Sequence, residues 1–379
     1  MRIDKRVLIA CLPLLLAACG GNVDDVLEEI DPPQVEFITE EELANYLEET
    51  TTNVNQQDES PSNMNEPDET ESESQSELEE TTDDVALEKD GPVADDTVNQ
   101  LYLLDANGQV APQIMRVGGQ SLEGLLSYLV QGGPIEESLP SGFQAVLPPG
   151  TEIMDVTVMS GVAEINLSEE FLSYEETKET AILEALTWTA TSVEGVDRIK
   201  LLVNGEEVEE LPHGASVKDG YSRSNGINLE LTDHVDLINT DSVTLYFLQQ
   251  QAGDIYYVPV TRRVDATSNK HEAIVNELLS GPEFSSPLLT DVHQDAALTD
   301  EPTLKDGTLT LTFNDALVNQ AEGAILSEET VNMLVLSLTE NEEIDRVAIE
   351  VDGLEDPIMM STGEVLAESI SRPLVNIVE

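Results

Sequence analysis

A set of short landmarks occurs twice along the chain, in the same order and at nearly constant separation. Leu101-Tyr102-Leu103 returns as Leu245-Tyr246-Phe247, and Gly133-Pro134 returns as Gly281-Pro282. Val196-Asp197-Arg198-Ile199 returns as Ile344-Asp345-Arg346-Val347, and Val203-Asn204-Gly205 as Val351-Asp352-Gly353. The separations run from 144 to 148 residues. Ordered landmarks at one period specify tandem homologous modules, so whatever fold the chain adopts it must build twice.

Within each copy the apolar spacing alternates between the two regular periods. A strand at 99–104 (243–248) precedes an extended segment at 112–117 (255–261). A helix follows at 121–131 (268–280), with Leu122, Leu125, Leu126 and Leu129 on one face and Ile274, Leu278 and Leu279 as counterparts. Gly132-Gly133-Pro134 and Gly281-Pro282 are placed to stop these helices, since glycine accepts the left-handed cap and proline cannot continue the turn. A hairpin is expected from Ile153–Val158 through Ser160-Gly161 to Val162–Leu167, and Asp306-Gly307 occupies the same place before Thr308–Phe313. A second helix at about 175–191 (328–340) carries Ile182, Leu183 and Leu186, or Val331, Leu334, Val335 and Leu338. A last strand at 196–203 (344–351) ends in Asn-Gly or Asp-Gly. The order ββαββαβ, twice, predicts an α+β protein with helices packed on one face of a small sheet in each module. The modules are expected at 98–212 and 241–357, joined by a connector at 213–240 that includes the strand-like Ile227-Asn228-Leu229-Glu230 and followed by a tail at 358–379.

The charge is extreme: the formal net charge is −61. From Asp24 to Asp96 there are 27 acidic residues and one basic residue, Lys89. About −37 remains on the rest of the chain once that stretch and the amino-terminal segment are removed. Such a surface repels nucleic acid and anionic lipid. It fits either a basic partner or life in high salt, and the spread of charge over the whole chain favours high salt. The stretch from Glu49 to Asp84 has too little apolar surface to offset chain entropy, so 19–97 is expected to be a disordered tether. About 75 residues of flexible coil span roughly 50 Å.

At the amino terminus Arg2, Lys5 and Arg6 precede an apolar run from Val7 to Ala18, which ends in Leu16-Ala17-Ala18-Cys19-Gly20. This resembles the lipobox of bacterial lipoproteins. The resemblance implies a signal peptide over 1–18, cleavage before Cys19 and lipid on the Cys19 sulfur, which would hold the protein on the outer face of the cytoplasmic membrane. The two cysteines are Cys11 and Cys19, so the mature chain has no disulfide. With only four scattered histidines (His213, His234, His271 and His293), nothing suggests a metal site.

A lipobox, an acidic spacer and two units carrying these landmarks together resemble the GerM-like sporulation and germination lipoproteins, whose repeated unit is the GerMN domain. Leu245-Tyr246-Phe247, Leu311-Thr312-Phe313-Asn314 and Val351-Asp352-Gly353 match best, while the first copy departs with Ile165-Asn166-Leu167-Ser168. The resemblance implies a fold like that of ring-building secretion modules and a non-enzymatic role supporting the channel complex between mother cell and forespore. No nucleophile motif, zinc-binding motif or phosphate loop is present, and no cofactor is implied. Asp233-His234 reads as a solvated loop pair. Arg198 and Arg346, each following an aspartate, read as surface charge pairs or as contacts between subunits of a ring. The leading expectation is a scaffold for envelope or sporulation-channel proteins. A general envelope binding or sensor protein, and a wall or cortex hydrolase, are the alternatives.

Overall fold

The alternating periodicities resolve into two copies of one arrangement in a computed structural model that describes residues 97–117, 121–230, 240–266, 269–319 and 323–378. The signal segment, Cys19, the acidic stretch before 97 and Asp233-His234 lie outside the described residues. No helix among the described residues is long and apolar enough to cross a membrane.

In the first copy β1 (Thr97–Leu104) and β2 (Val110–Val117) form an antiparallel hairpin. Then come α1 (Leu122–Ser127), β3 (Ile153–Met159), β4 (Val162–Leu167), α2 (Glu179–Ala190) and β5 (Arg198–Val203). Strands β4 and β5 run parallel from Val162↔Arg198 to Leu167↔Val203, so α2 is the crossover that parallel strands require. The short strands β6 (Glu206–Glu207) and β7 (Tyr221–Ser222) complete the sheet against β5.

The second copy repeats this plan. Its hairpin is β8 (Thr240–Gln251) and β9 (Asp254–Asp265). There follow α3 (Lys270–Ser280), β10 (Thr303–Lys305), β11 (Thr308–Phe313), β12 (Ile325–Leu326), α4 (Glu328–Leu338) and β13 (Arg346–Val351). Strand β13 lies parallel to β11, and β14 (Met359–Met360) and β15 (Ile370–Ser371) pair with β12 and β13.

The α+β class and the doubled order are those expected from the sequence, with three corrections. First, the hairpin of each copy is a separate two-stranded sheet rather than part of one small sheet. Among the described residues the outer edge of β1 meets backbone only at Leu104, which pairs with Gln144, and is met further back by a helix side chain: the Tyr102 N–H donates to Thr189 Oγ1 at 2.9 Å. The same bond recurs in the second copy, where the Tyr246 N–H donates to Ser337 Oγ at 2.8 Å.

Second, α1 ends at Ser127, short of the expected 131. The Leu129 carbonyl is taken by the N–H groups of Val146 and Leu147, and that tertiary pairing pulls the chain out of the helix. Gly132 therefore adopts its positive φ in a later turn, whereas Gly281 does cap α3, with φ of +76°. Third, α2 and α4 are not buried on one stripe alone. Thr187, Trp188, Thr189 and Ala190 at the end of α2 are all buried, as are Leu336, Ser337 and Leu338 of α4. Their second face is covered by the hairpin of the same copy, to which Thr189 and Ser337 are bonded through Tyr102 and Tyr246.

The turn between β3 and β4 explains why Asp-Arg recurs. Ser160 and Gly161 both have positive φ, as do Asp306 and Gly307, which is the geometry of a tight hairpin turn. The Asp197 carboxylate lies so close over Gly161 that a Cβ there would sit 2.0 Å from Oδ2, and Asp345 covers Gly307 in the same way. The Gly161 carbonyl accepts from the Asp197 N–H at 2.7 Å, and the Gly307 carbonyl from Asp345 at 2.8 Å.

Candidate functional site: the junction of the two copies

The segments read as connector and tail are woven into both copies. Asn228 and Asn376 are 148 residues apart and both take the left-handed conformation, with φ of +46° and +57°. Asn228 pairs with its own copy through both side-chain ends: Oδ1 accepts from the Val110 N–H at 2.8 Å and Nδ2 donates to the Val110 carbonyl at 2.7 Å. The same Nδ2 donates to the Pro259 carbonyl of the other copy at 2.7 Å. Asn376 repeats the pattern on Tyr257 of its own copy and on the Pro112 carbonyl of the other.

The backbone follows the side chains. After each copy the chain runs onto the second hairpin strand of the opposite copy: Glu230 bridges in parallel with Arg262, and Ile377 with Ile114. Each copy thus gives its terminal arm to the other, in a reciprocal exchange with approximate two-fold symmetry.

The arms also carry the charges of the junction. Arg223 and Arg372 are equivalent residues, each one position beyond the short strand that pairs with the last strand of its copy. Arg223 Nε donates to Thr191 Oγ1 at 2.9 Å and Arg372 Nη1 to Thr339 Oγ1 at 3.0 Å. Between them lies one carboxylate, Glu340, which is 13% exposed. Its Oε1 pairs with Arg223, and its Oε2 accepts from Arg372 at 2.8 Å and from the Tyr246 hydroxyl at 3.0 Å. Here the symmetry breaks, because Ser192 stands at the corresponding place in the first copy. Each guanidinium also covers an aromatic ring: Arg223 lies 4.4 Å from the Trp188 centroid and Arg372 lies 5.2 Å from that of Tyr246.

Burial alone would push the Glu340 carboxyl up, but Arg223, Arg372 and its hydrogen bonds outweigh this and hold it below the ordinary carboxylate range. The Tyr246 hydroxyl is driven far up by burial and by the neighbouring Glu340 charge. A second pair closes the other side of the junction, where Arg262 donates from Nε to Glu230 Oε2 at 2.7 Å and sits 5.0 Å from the Phe247 ring centroid. Glu184 on α2 accepts from the Asn228 N–H at 3.1 Å. Among the described residues it has no cationic partner, and burial raises its carboxyl to about 7.

These groups are committed to one another and hold the two modules together; the clefts of about 480 and 410 Å³ beside Glu340 are lined in part by these already paired side chains. Among the described residues no cluster of histidine, cysteine, aspartate and glutamate could hold a metal ion. His213 contacts the Tyr174 carbonyl, His271 approaches Asn341 and His293 accepts from the Asp295 N–H. Arg198 and Arg346 are exposed and reach the returning segments, at the Asp219 carbonyl and at Ser369. Neither takes part in the junction.

Sequence reasoning missed Glu340, Arg223, Arg372, Asn228 and Asn376 as members of one site. A signal was present: Ser222-Arg223 returns as Ser371-Arg372 after 149 residues, and Ile227-Asn228-Leu229 as Val375-Asn376-Ile377 after 148, close to the period of the other landmarks.

Residues 100–209 and 244–356 match the family described as "Germane: Sporulation and spore germination". The spore germination protein GerM of Bacillus subtilis (strain 168) is 37% identical over 369 residues, covering 95% of this chain and 93% of that protein. The solved tandem GerMN domains of the same organism's sporulation protein GerM superpose with a TM-score of 0.69 at 38% identity, covering 75% of this chain and 99% of that one. The arms lie just beyond each of the two matched ranges. With both copies matched and the similarity extending along nearly the whole chain, the protein belongs to the Germane family of sporulation and spore germination proteins.

Proposed function

We propose that the protein is a membrane-anchored scaffold of the sporulating cell, working by contact with envelope or channel proteins and not by chemistry on a substrate. The observation that carries this reading is the junction: its ionisable groups are used to hold two modules together, which leaves their outer surfaces for partners. Membership of a sporulation and germination family supports the setting. Lipid on Cys19 would fix the chain to the outer face of the cytoplasmic membrane, and the acidic stretch would space the modules away from it. Arg198 and Arg346, exposed at the start of parallel strands, are the candidate contacts if copies of the protein assemble into a ring.

The test is capture of a tagged chain from sporulating cells, with Cys19→Ser alongside. The reading expects envelope or channel proteins with the wild type, membrane loss of the Cys19→Ser chain and impaired sporulation or germination on deletion. Capture of no envelope protein, or cleavage of cortex or wall peptidoglycan by the pure chain, would overturn it.

A further inference from the structure

The two copies treat the same sheet edge differently. In the second copy the edge next to β11 is made of short pieces: β10 has three residues, Pro302 precedes it, and the Thr299 N–H donates to the Thr312 carbonyl at 2.8 Å further along. Proline, a short strand and Lys305 are the usual means of keeping an edge from recruiting other chains.

The first copy has none of these. Its edge strand β3 is seven residues long, with no proline or lysine. Beyond a bulge between Ile153 and Asp155 it pairs regularly with β4 from Asp155 to Met159. Among the described residues, no backbone bond other than those to β4 is made by this edge.

The core also runs out to this edge unfinished. Val158 lies opposite buried Ala163, so it points to the helix side of the sheet, yet it is 45% exposed. Met154 is 51% exposed and Met159 68%. At the start of β3 a groove of about 630 Å³ opens between the strand and α1, lined by Ser121, Gly124, Ser127 and Ile153 with Glu123 and Glu152 at its rim. A strand edge beside a helix is the geometry in which extended peptides are taken up as an added strand.

Charge selects the occupant. From Val117 to Thr177 the sequence contains no Lys, Arg or His, while Glu123, Glu136, Glu152, Asp155 and Glu164 are all exposed. The chain's own tether is acidic and is repelled by such a surface.

We propose that the free edge of β3, with the groove beside α1, docks an extended segment of another protein in which apolar residues alternate with Lys or Arg. The segment joins the sheet as a further strand, its apolar side chains covering Val158 and Met154 and its cations facing the acidic rim. The proposal rests on the contact-protein reading above and names the surface that reading needs.

The test uses the full chain in detergent and a twelve-residue peptide of alternating valine and lysine, read by amide hydrogen exchange. The peptide should slow exchange at 155–159, and a peptide of equal charge interrupted by prolines should not. Val158→Lys and, independently, Met154→Lys should weaken the protection at least tenfold in peptide concentration, with Leu304→Lys on the other copy's edge as an unaffected control. Equal protection by the proline peptide, or protection unchanged in both edge variants, overturns the proposal. Protection of 155–159 that grows with protein concentration alone would assign the edge to a second copy and overturn the partner segment. Val158→Lys that captures the same envelope proteins as wild type removes the edge and leaves the scaffold. Protection at 155–159 with no envelope protein captured from cells removes the scaffold and leaves the edge.

Discussion

Asn228 and Asn376 are the same residue of the repeat, and each donates through Nδ2 to a proline carbonyl of the opposite copy, at 2.7 Å in both cases. Each also closes two bonds with the second strand of its own hairpin. Replacing either by alanine strands three backbone groups and leaves a side chain with a Cβ in left-handed conformation. A loss on the order of 2–4 kcal/mol is expected, since each unpaired buried polar group costs about 1–3 kcal/mol. Trp188, the one tryptophan, is buried against this junction and donates to the Gly226 carbonyl, so its emission in urea reports the change. Additive losses in the double variant would mean that the two arms lock independently. A loss in the double variant no larger than in either single one would mean that they act as one clamp.

Glu340 balances two arginines, so Glu340→Gln leaves both cations without their carboxylate. Breaking a fully buried pair costs about 3–5 kcal/mol, and the one-third exposure of the arginine side chains reduces this to roughly 1–3 kcal/mol. The pH dependence has a definite sign. The folded-state carboxyl titrates below its ordinary value of 4.5, so its contribution is fully present above about that pH and is lost as pH falls through the depressed value. Urea midpoints between pH 3 and 6 should fall more steeply for the wild type than for Glu340→Gln. Parallel slopes would show that the carboxylate is not held by the arginines.

Glu184 predicts the opposite sign. Its carboxyl is raised from 4.5 to about 7 by burial, against the pull of the Asn228 N–H. The folded state therefore holds this proton more tightly than the unfolded chain. The group's contribution is full below about 4.5 and is lost as pH rises through about 7. Glu184→Gln keeps an acceptor for the Asn228 N–H and cannot ionise. It should match the wild type near pH 4.5 and exceed it at pH 8, measured as a difference in urea midpoint. A variant less stable at both pH values would point to a packing role instead.

Gly161 and Gly307 are each covered by an aspartate carboxylate, and each has positive φ. Alanine at either position must displace Asp197 or Asp345, and a cost of roughly 1–3 kcal/mol is expected from left-handed strain and the lost contact. Pairing Gly161→Ala with Asp197→Ala should recover part of that cost, as thermal melting would show. No recovery would mean that the backbone conformation alone sets the requirement.

That there are two modules, the order of the main strands and helices in each, and the place of their hairpin turns are all legible in the chain. They can be read there because apolar period, paired glycine turns and repeated landmarks are local properties, written into consecutive residues such as Asp306-Gly307 and Val351-Asp352-Gly353. How the modules are joined is set by long-range contacts. Ile227-Asn228-Leu229-Glu230 reads as a strand in a connector, and the end of the chain as part of a tail over 358–379, because neither segment has a partner nearby in sequence. Their partners are Pro259 and Thr261, or Pro112 and Ile114, on the opposite copy. Such pairing depends on unpaired backbone groups at a distant strand edge; the recurrence of Ile227-Asn228-Leu229 as Val375-Asn376-Ile377 marks the two arms as equivalent but does not say where they pair. The same reason hid Glu340: in sequence it is one carboxylate among 77 acidic residues, and it is distinguished only by the two guanidinium groups that the fold brings to it.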